Sequence, residues 1–133
     1  MSNSRFTRVA VVAVAATAAS TVLAGTPALA YRDTTPPTAP RIDYAQGYNC
    51  LQVIVGFSRS TDNVTPQPQL KYDVFADGRF IGTGIDQDQV SGVWAWLHNV
   101  LTPGTNMITV KARDAAGNRS APSRAAAVTG FPC

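Results

Sequence analysis

Residues 71–83 read Lys-Tyr-Asp-Val-Phe-Ala-Asp-Gly-Arg-Phe-Ile-Gly-Thr. Tyr72, Val74 and Ala76 alternate with Lys71, Asp73 and Phe75, and a period of two commits one face of a strand to a core. Asp77-Gly78 comes next, a favoured two-residue hairpin turn because both central residues must accept positive φ. The return strand is Arg79 to Thr83. Upstream, Leu51, Val53, Val55 and Phe57 alternate with Gln52, Ile54, Gly56 and Ser58, a second strand of the same kind. Polar turn residues fill 58–63, and Pro66 and Pro68 forbid helix after them.

Downstream, Gly82, Gly84, Asp86, Asp88 and Gly92 predict an irregular connection. Val93 to Leu97 is apolar throughout, which predicts a strand covered on both sides. Leu101-Thr102-Pro103-Gly104-Thr105 forms a corner, and Ile108, Val110 and Ala112 then alternate with Thr109, Lys111 and Arg113. A turn over 114–118 and a last strand around 125–129 complete the pattern. No ten-residue window gives an amphipathic helix. About seven short strands with turn signals every 8 to 12 residues predict an all-β, seven-stranded antiparallel sandwich of the immunoglobulin-like type.

The N-terminus reads differently. Arg5 and Arg8 precede an apolar run from Val9 to Leu23, and the segment closes on Ala28-Leu29-Ala30, the small-x-small pattern that a signal peptidase accepts. Residues 1–30 are therefore expected to be a signal peptide cleaved after Ala30. The apolar run is about 15 residues where a span needs about 20, so no membrane span is expected in the mature chain. Residues 31–40 form a Pro/Thr-rich lead-in, with Pro36, Pro37 and Pro40 holding it extended, and 41–133 is the domain. Export implies a secreted, extracellular protein and an oxidising compartment for Cys50 and Cys133.

Charge excludes one class of partner. The full chain carries 11 Lys+Arg against 8 Asp+Glu, and loss of Arg5 and Arg8 lowers the net charge from +3 to +1. The remaining basic residues are scattered singly, and no cluster supplies a phosphate-tracking stripe for nucleic acid.

The order of DTTPPTAP (33–40), FSRSTDNV (57–64), YDVFADGRFIGT (72–83), LTPGTN (101–106) and ITVKARDAAGNRSAPS (108–123) resembles the fibronectin type III-like modules of secreted bacterial polysaccharide-degrading enzymes. The second half is similar also to bacterial immunoglobulin-like repeats. Both resemblances imply the same sandwich. Two positions depart from the first pattern: Phe57 stands where such modules usually carry Trp, and Met107 stands where the tyrosine corner would place its Tyr. The corner hydrogen bond is then missing or replaced. The implied topology brings the start of the second strand to the end of the sandwich where the last strand finishes, so it implies a Cys50–Cys133 disulfide. Two free or intermolecular thiols are the alternative.

The inventory for chemistry is thin. The chain has one His, no Glu and eight Asp, most of them at turns, where a carboxylate caps its own backbone. His98 has no Gly-x-Ser-x-Gly elbow to serve, so no catalytic residue is expected. Asp86 and Asp88 at i, i+2 offer too few oxygens for Ca²⁺, one His and two Cys are too few for zinc, and no metal or cofactor is expected. Asn63 and Asn118 head Asn-x-Ser/Thr triplets but are read as turn-capping residues. Trp94 and Trp96, two apart on a strand, share one face. In the repeats that the second half resembles, such aromatics pack inward; exposed, the pair makes a platform for sugar rings or a protein contact. The resemblance implies a noncatalytic scaffold or protein-interaction module of the kind that accompanies polysaccharide-degrading enzymes. The alternative is a free-standing carbohydrate-binding module using Trp94 and Trp96. The partner expected is an extracellular protein or polysaccharide.

Overall fold

The computed structural model describes residues 32–88 and 92–133, with the side chains of 85–88 left aside. The leader expected over residues 1–30, with its cleavage point at Ala30, lies outside the described residues. So do the side chains of Asp86 and Asp88.

Seven strands are described: β1 (Ile42–Tyr48), β2 (Gln52–Phe57), β3 (Lys71–Ala76), β4 (Arg79–Asp88), β5 (Gly92–Leu97), β6 (Gly104–Arg113) and β7 (Ala126–Gly130). Hydrogen bonding follows the order β1-β2-β5-β4-β3-β6-β7, antiparallel at every step. The row becomes two layers because β4 changes sheets. Its first half pairs with β3, as in Val74↔Gly82 and Tyr72↔Gly84, and its second half pairs with β5 at Ile85↔Trp94. The only helical turn among the described residues is a 3₁₀ turn at Gln67–Gln69, with Pro66 at its N-cap and Pro68 within its first turn, where the N–H that proline lacks would have had no helical partner.

The period of two places the core as expected. Val53, Val55 and Phe57 of β2, Tyr72, Val74 and Ala76 of β3, Val93 and Ala95 of β5, and Ile108, Val110 and Ala112 of β6 are all at most 3% exposed. Phe57 fills the place of the usual Trp, with its ring centroid 5.0 Å from that of Tyr72 and tilted by 52°. The hairpin turn has φ of 50° at Asp77 and 78° at Gly78, the positive pair that a tight primed turn requires.

Two expectations are corrected. The stretch after Thr83 is not an irregular connection, because β4 continues to Asp88. Its glycines are clearance rather than breaks: a Cβ at Gly82 or Gly84 would lie 2.5 Å from the Leu97 or Phe57 side chain. β5 is not covered on both sides either. Val93 and Ala95 face the core, whereas Trp94 and Trp96 are exposed, so the inward packing implied by the resemblance does not hold.

The tyrosine corner is replaced by an asparagine. Asn106 is fully buried, and its Oδ1 accepts from Thr102 N–H at 2.9 Å and Thr102 Oγ1–H at 3.0 Å. Its Nδ2 donates to the carbonyls of Thr102 and Gly104 at 2.8 and 2.9 Å. One side chain thus satisfies the backbone groups that a turn over a sheet end would leave unpaired.

The two ends of the sandwich are fastened differently. Where β1 ends, β2 begins and β7 finishes, Cys50 and Cys133 form a disulfide across a sequence separation of 83. Leu51 N–H donates to Phe131 O at 2.8 Å beside it. At the other end, the stretch before β1 runs against the β2–β3 connection, with Thr38 N–H on Thr61 O at 2.9 Å and Thr61 N–H on Thr38 Oγ1 at 2.8 Å.

Candidate functional site

Antiparallel register makes a small grid on the outer face of β1, β2 and β5. Tyr44, Gly56 and Trp94 lie side by side across the three strands, and Gln46, Ile54 and Trp96 form the next row. Tyr48 and Gln52 continue it, with His98 two residues beyond Trp96. Strand spacing is about 4.8 Å and same-face residues are about 6.7 Å apart along a strand, so these side chains are neighbours on one face, with Tyr44 beside Trp94 and His98 beside Trp96. None of these residues is Asp, Glu, Lys or Arg.

Gly56 sets the pose of Trp94. A Cβ at Gly56 would lie 2.7–3.0 Å from the six-membered ring of Trp94, so the indole lies across bare backbone, the arrangement in which an aromatic covers a strand glycine. Trp94 keeps 37% of its surface exposed, and the Tyr44 ring flanks it at 5.8 Å. Trp96 stands freer at 64% exposed. Its Nε1–H donates to Gln52 Oε1 at 3.3 Å, and His98 stacks on it at 5.4 Å with 26° between the planes.

The polar atoms of the face are partly organised. Tyr44 Oη–H donates to Gln46 Oε1 at 2.6 Å and lies 3.2 Å from Tyr48 Oη. The hydrogen bond with Tyr48 is the main cause that raises the Tyr44 phenol above its ordinary value. The result is flat apolar rings edged by hydroxyl, amide and imidazole groups. Such a surface stacks on an apolar ring face and exchanges hydrogen bonds with hydroxyls, while offering no charge to an ion.

Of the residues singled out in the sequence, the structure brings Trp94, Trp96 and His98 together and joins Cys50 to Cys133. Among the described residues His98 has no Ser or Asp hydrogen-bonded to it, and its neighbour is the Trp96 ring. Tyr44, Tyr48 and Gln52 were missed as site residues. Their signal was present in Tyr44, Gln46 and Tyr48 at i, i+2, i+4, but the strand Ile42–Tyr48 buries little and carries no hydrophobic alternation to mark it.

No protein-family model matches the chain, and no curated protein matches it. Solved structures do. The chain is similar to the fibronectin(III)-like modules of Clostridium thermocellum CbhA, with 17% identity, a TM-score of 0.51, and coverage of 73% of this chain and 47% of that one. It is similar to the Clostridium perfringens spore cortex lytic enzyme SleM, with 16% identity, a TM-score of 0.52, and coverage of 71% and 29%. A fibronectin type III domain of human fibronectin type III domain containing protein 3 shares 14% identity at a TM-score of 0.52, covering 76% of this chain and 92% of that domain. The chain spans less than half the length of the two bacterial chains. Strand order, buried faces and these likenesses agree that this chain folds as a fibronectin type III-like β-sandwich.

Proposed function

We propose that this protein is a secreted, noncatalytic module that binds polysaccharide through the outer face of β1, β2 and β5. The observation that carries the reading is the exposure of Trp94 and Trp96 on one uncharged face, continued by Tyr44 and Tyr48. An isolated exposed aromatic is ordinary on a protein surface, whereas a contiguous group edged by polar residues marks a contact site. The Cys50–Cys133 disulfide supports export, and with it the leader ending at Ala30. The bacterial chains of similar fold, one of them a spore cortex lytic enzyme, support a place beside polysaccharide-degrading proteins.

Depletion from solution tests this. The protein, mixed with microcrystalline cellulose, chitin or insoluble xylan, should be removed by at least one of them, and Trp96→Ala should stay in solution. Trp96 is largely exposed, so the variant should keep its melting temperature. A second reading uses the same face: a scaffold that docks on a neighbouring protein domain. It is favoured by the size of the similar bacterial chains, each more than twice the matched length. Binding to none of the glycans, together with loss of a protein contact in Trp96→Ala, would select it.

A further inference from the structure

At the end of the sandwich away from the disulfide, aspartates from three separate segments meet. Asp33 lies in the stretch before β1, Asp62 in the β2–β3 connection and Asp114 directly after β6. One carboxylate oxygen from each lies within 4.8 Å of the other two. The remaining attachments of these carboxylates are local. Asp33 Oδ1 accepts Thr35 N–H at 3.0 Å, and Asp62 Oδ2 accepts the N–H groups of Val64 and Thr65 at 3.1 and 2.7 Å. Asp114 takes the backbone N–H and the side-chain amide of Asn118, both at 2.7 Å.

Two oxygens are left over. Asp33 Oδ2 and Asp62 Oδ1 are sealed from solvent and have no hydrogen-bond partner among the described residues, and Asp33 as a whole is only 6% exposed. Asp73 shows how this fold treats a buried carboxylate that it neutralises itself. Arg113 grips it with two bonds of 3.0 and 3.1 Å, and Arg119 stands 3.7 Å away. Among the described residues no cationic side chain pairs with Asp33, Asp62 or Asp114. A carboxylate taken out of water without a partner is costly, and neighbouring carboxylates add mutual repulsion. A shared cation removes both costs at once.

An all-carboxylate set calls for a hard cation. Ca²⁺ holds oxygens at 2.3–2.6 Å, so two ligands facing each other across it are about 5 Å apart; Mg²⁺ at 2.0–2.1 Å draws them to about 4.2 Å and demands a near-ideal octahedron. Three carboxylates from three separate loops, no more than 4.8 Å apart, lie within the reach of Ca²⁺, whose flexible coordination accepts such a set more readily than the strict Mg²⁺ octahedron does. We propose that Asp33, Asp62 and Asp114 bind one Ca²⁺, which ties the segment before β1 and the β2–β3 and β6–β7 connections into a single clamp. Asn118 is a positioning residue in it, because its Nδ2 also donates to Asp33 O at 3.0 Å. The sandwich is then closed at one end by a disulfide and at the other by an ion.

The test is calorimetric, on protein expressed as the full chain and stripped with EDTA. About 10 mM CaCl₂ exceeds the 10⁻⁴–10⁻³ M range of extracellular sites and should raise the melting temperature by about 5 °C or more. NaCl at matched ionic strength should do less. Asp33→Asn and Asp62→Asn keep side-chain size and remove one ligand charge each, and either should lose most of the calcium-dependent rise while still folding without the ion. Asp43→Asn, on β1 outside the cluster, should keep it. A rise no larger than that in NaCl overturns the proposal, as does a full rise retained in both Asp33→Asn and Asp62→Asn.

Discussion

Replacing Asn106 with alanine removes the four hydrogen bonds that hold the corner between β5 and β6. Each is worth about 1 kcal/mol net, and a buried backbone group left without a partner costs about as much again. Thr102 itself is exposed, so its hydroxyl and part of its carbonyl surface can turn to water, which offsets some of the loss. The net cost is about 3 kcal/mol, or a fall of about 12–24 °C in melting temperature for a domain of this size. Scanning calorimetry of oxidised protein measures it directly. Asn106→Asp sharpens the reasoning, because it keeps the acceptor facing Thr102 N–H but sets a carboxylate against two carbonyls. Its folded pKa should be raised, so its stability should be greatest below the unfolded value of about 3.9 and be lost as pH rises through the folded pKa. A loss under about 4 °C for Asn106→Ala, or an Asn106→Asp variant indifferent to pH, would refute this account of the corner.

Other expected outcomes follow from the same structure. Cys50→Ser with Cys133→Ser opens a loop of 84 residues, counted from the separation of 83, and should cost about 4.5 kcal/mol on the chain-entropy model, read from urea unfolding of both forms. Arg113→Ala leaves Asp73, 2% exposed, with the longer Arg119 contact as its one cationic partner among the described residues, and should cost about 3 kcal/mol, the lower end for a broken buried pair; a loss within thermal-scan error would argue against that pairing. In an alkaline titration followed at the tyrosinate absorbance, Tyr44 should ionise above its ordinary value, and Tyr48→Phe should bring it down. Because the folded pKa is the raised one, the Tyr44–Tyr48 contact is fully present below the unfolded value and lost as pH rises through the folded one.

Much of the fold was legible in the sequence because strand alternation and turn chemistry act locally. The Asp77-Gly78 turn, the inward faces of β2, β3 and β6, and the closing strand needed only neighbours along the chain. The course of β4 was not legible. Its glycines carry the signature of a loop, and only the Leu97 and Phe57 side chains brought over from other strands show why glycine is required there. The orientation of β5 failed for a related reason, since Val93-Trp94-Ala95-Trp96-Leu97 is apolar at either parity and the choice is made by what packs against it. Val93 and Ala95 take the buried face and the two indoles the outer one.

The candidate site was half visible. Trp94 and Trp96 could be placed on one face from their spacing, but Tyr44, Tyr48 and Gln52 join them only through the register of β1 with β2 and of β2 with β5. The aspartate cluster lay further out of reach. Asp33, Asp62 and Asp114 are separated by 29 and 52 residues, and each sits in a turn-like setting that explains it alone. Sequence spacing drew attention to Asp86 and Asp88 instead, because two carboxylates at i, i+2 are a local pattern and three at loop ends are not. Asn118, read as a turn-capping residue, turned out to donate to two different segments.

Acrylamide quenching of intrinsic fluorescence tests the central claim most directly, because the chain's only two tryptophans are the two in the aromatic face. The folded protein should emit at long wavelength and quench readily, and saturation with a polysaccharide that depletes it from solution should protect both indoles and shift the emission to the blue. Blue-shifted emission that resists acrylamide in the free protein would place the indoles in the core and contradict the proposed binding face.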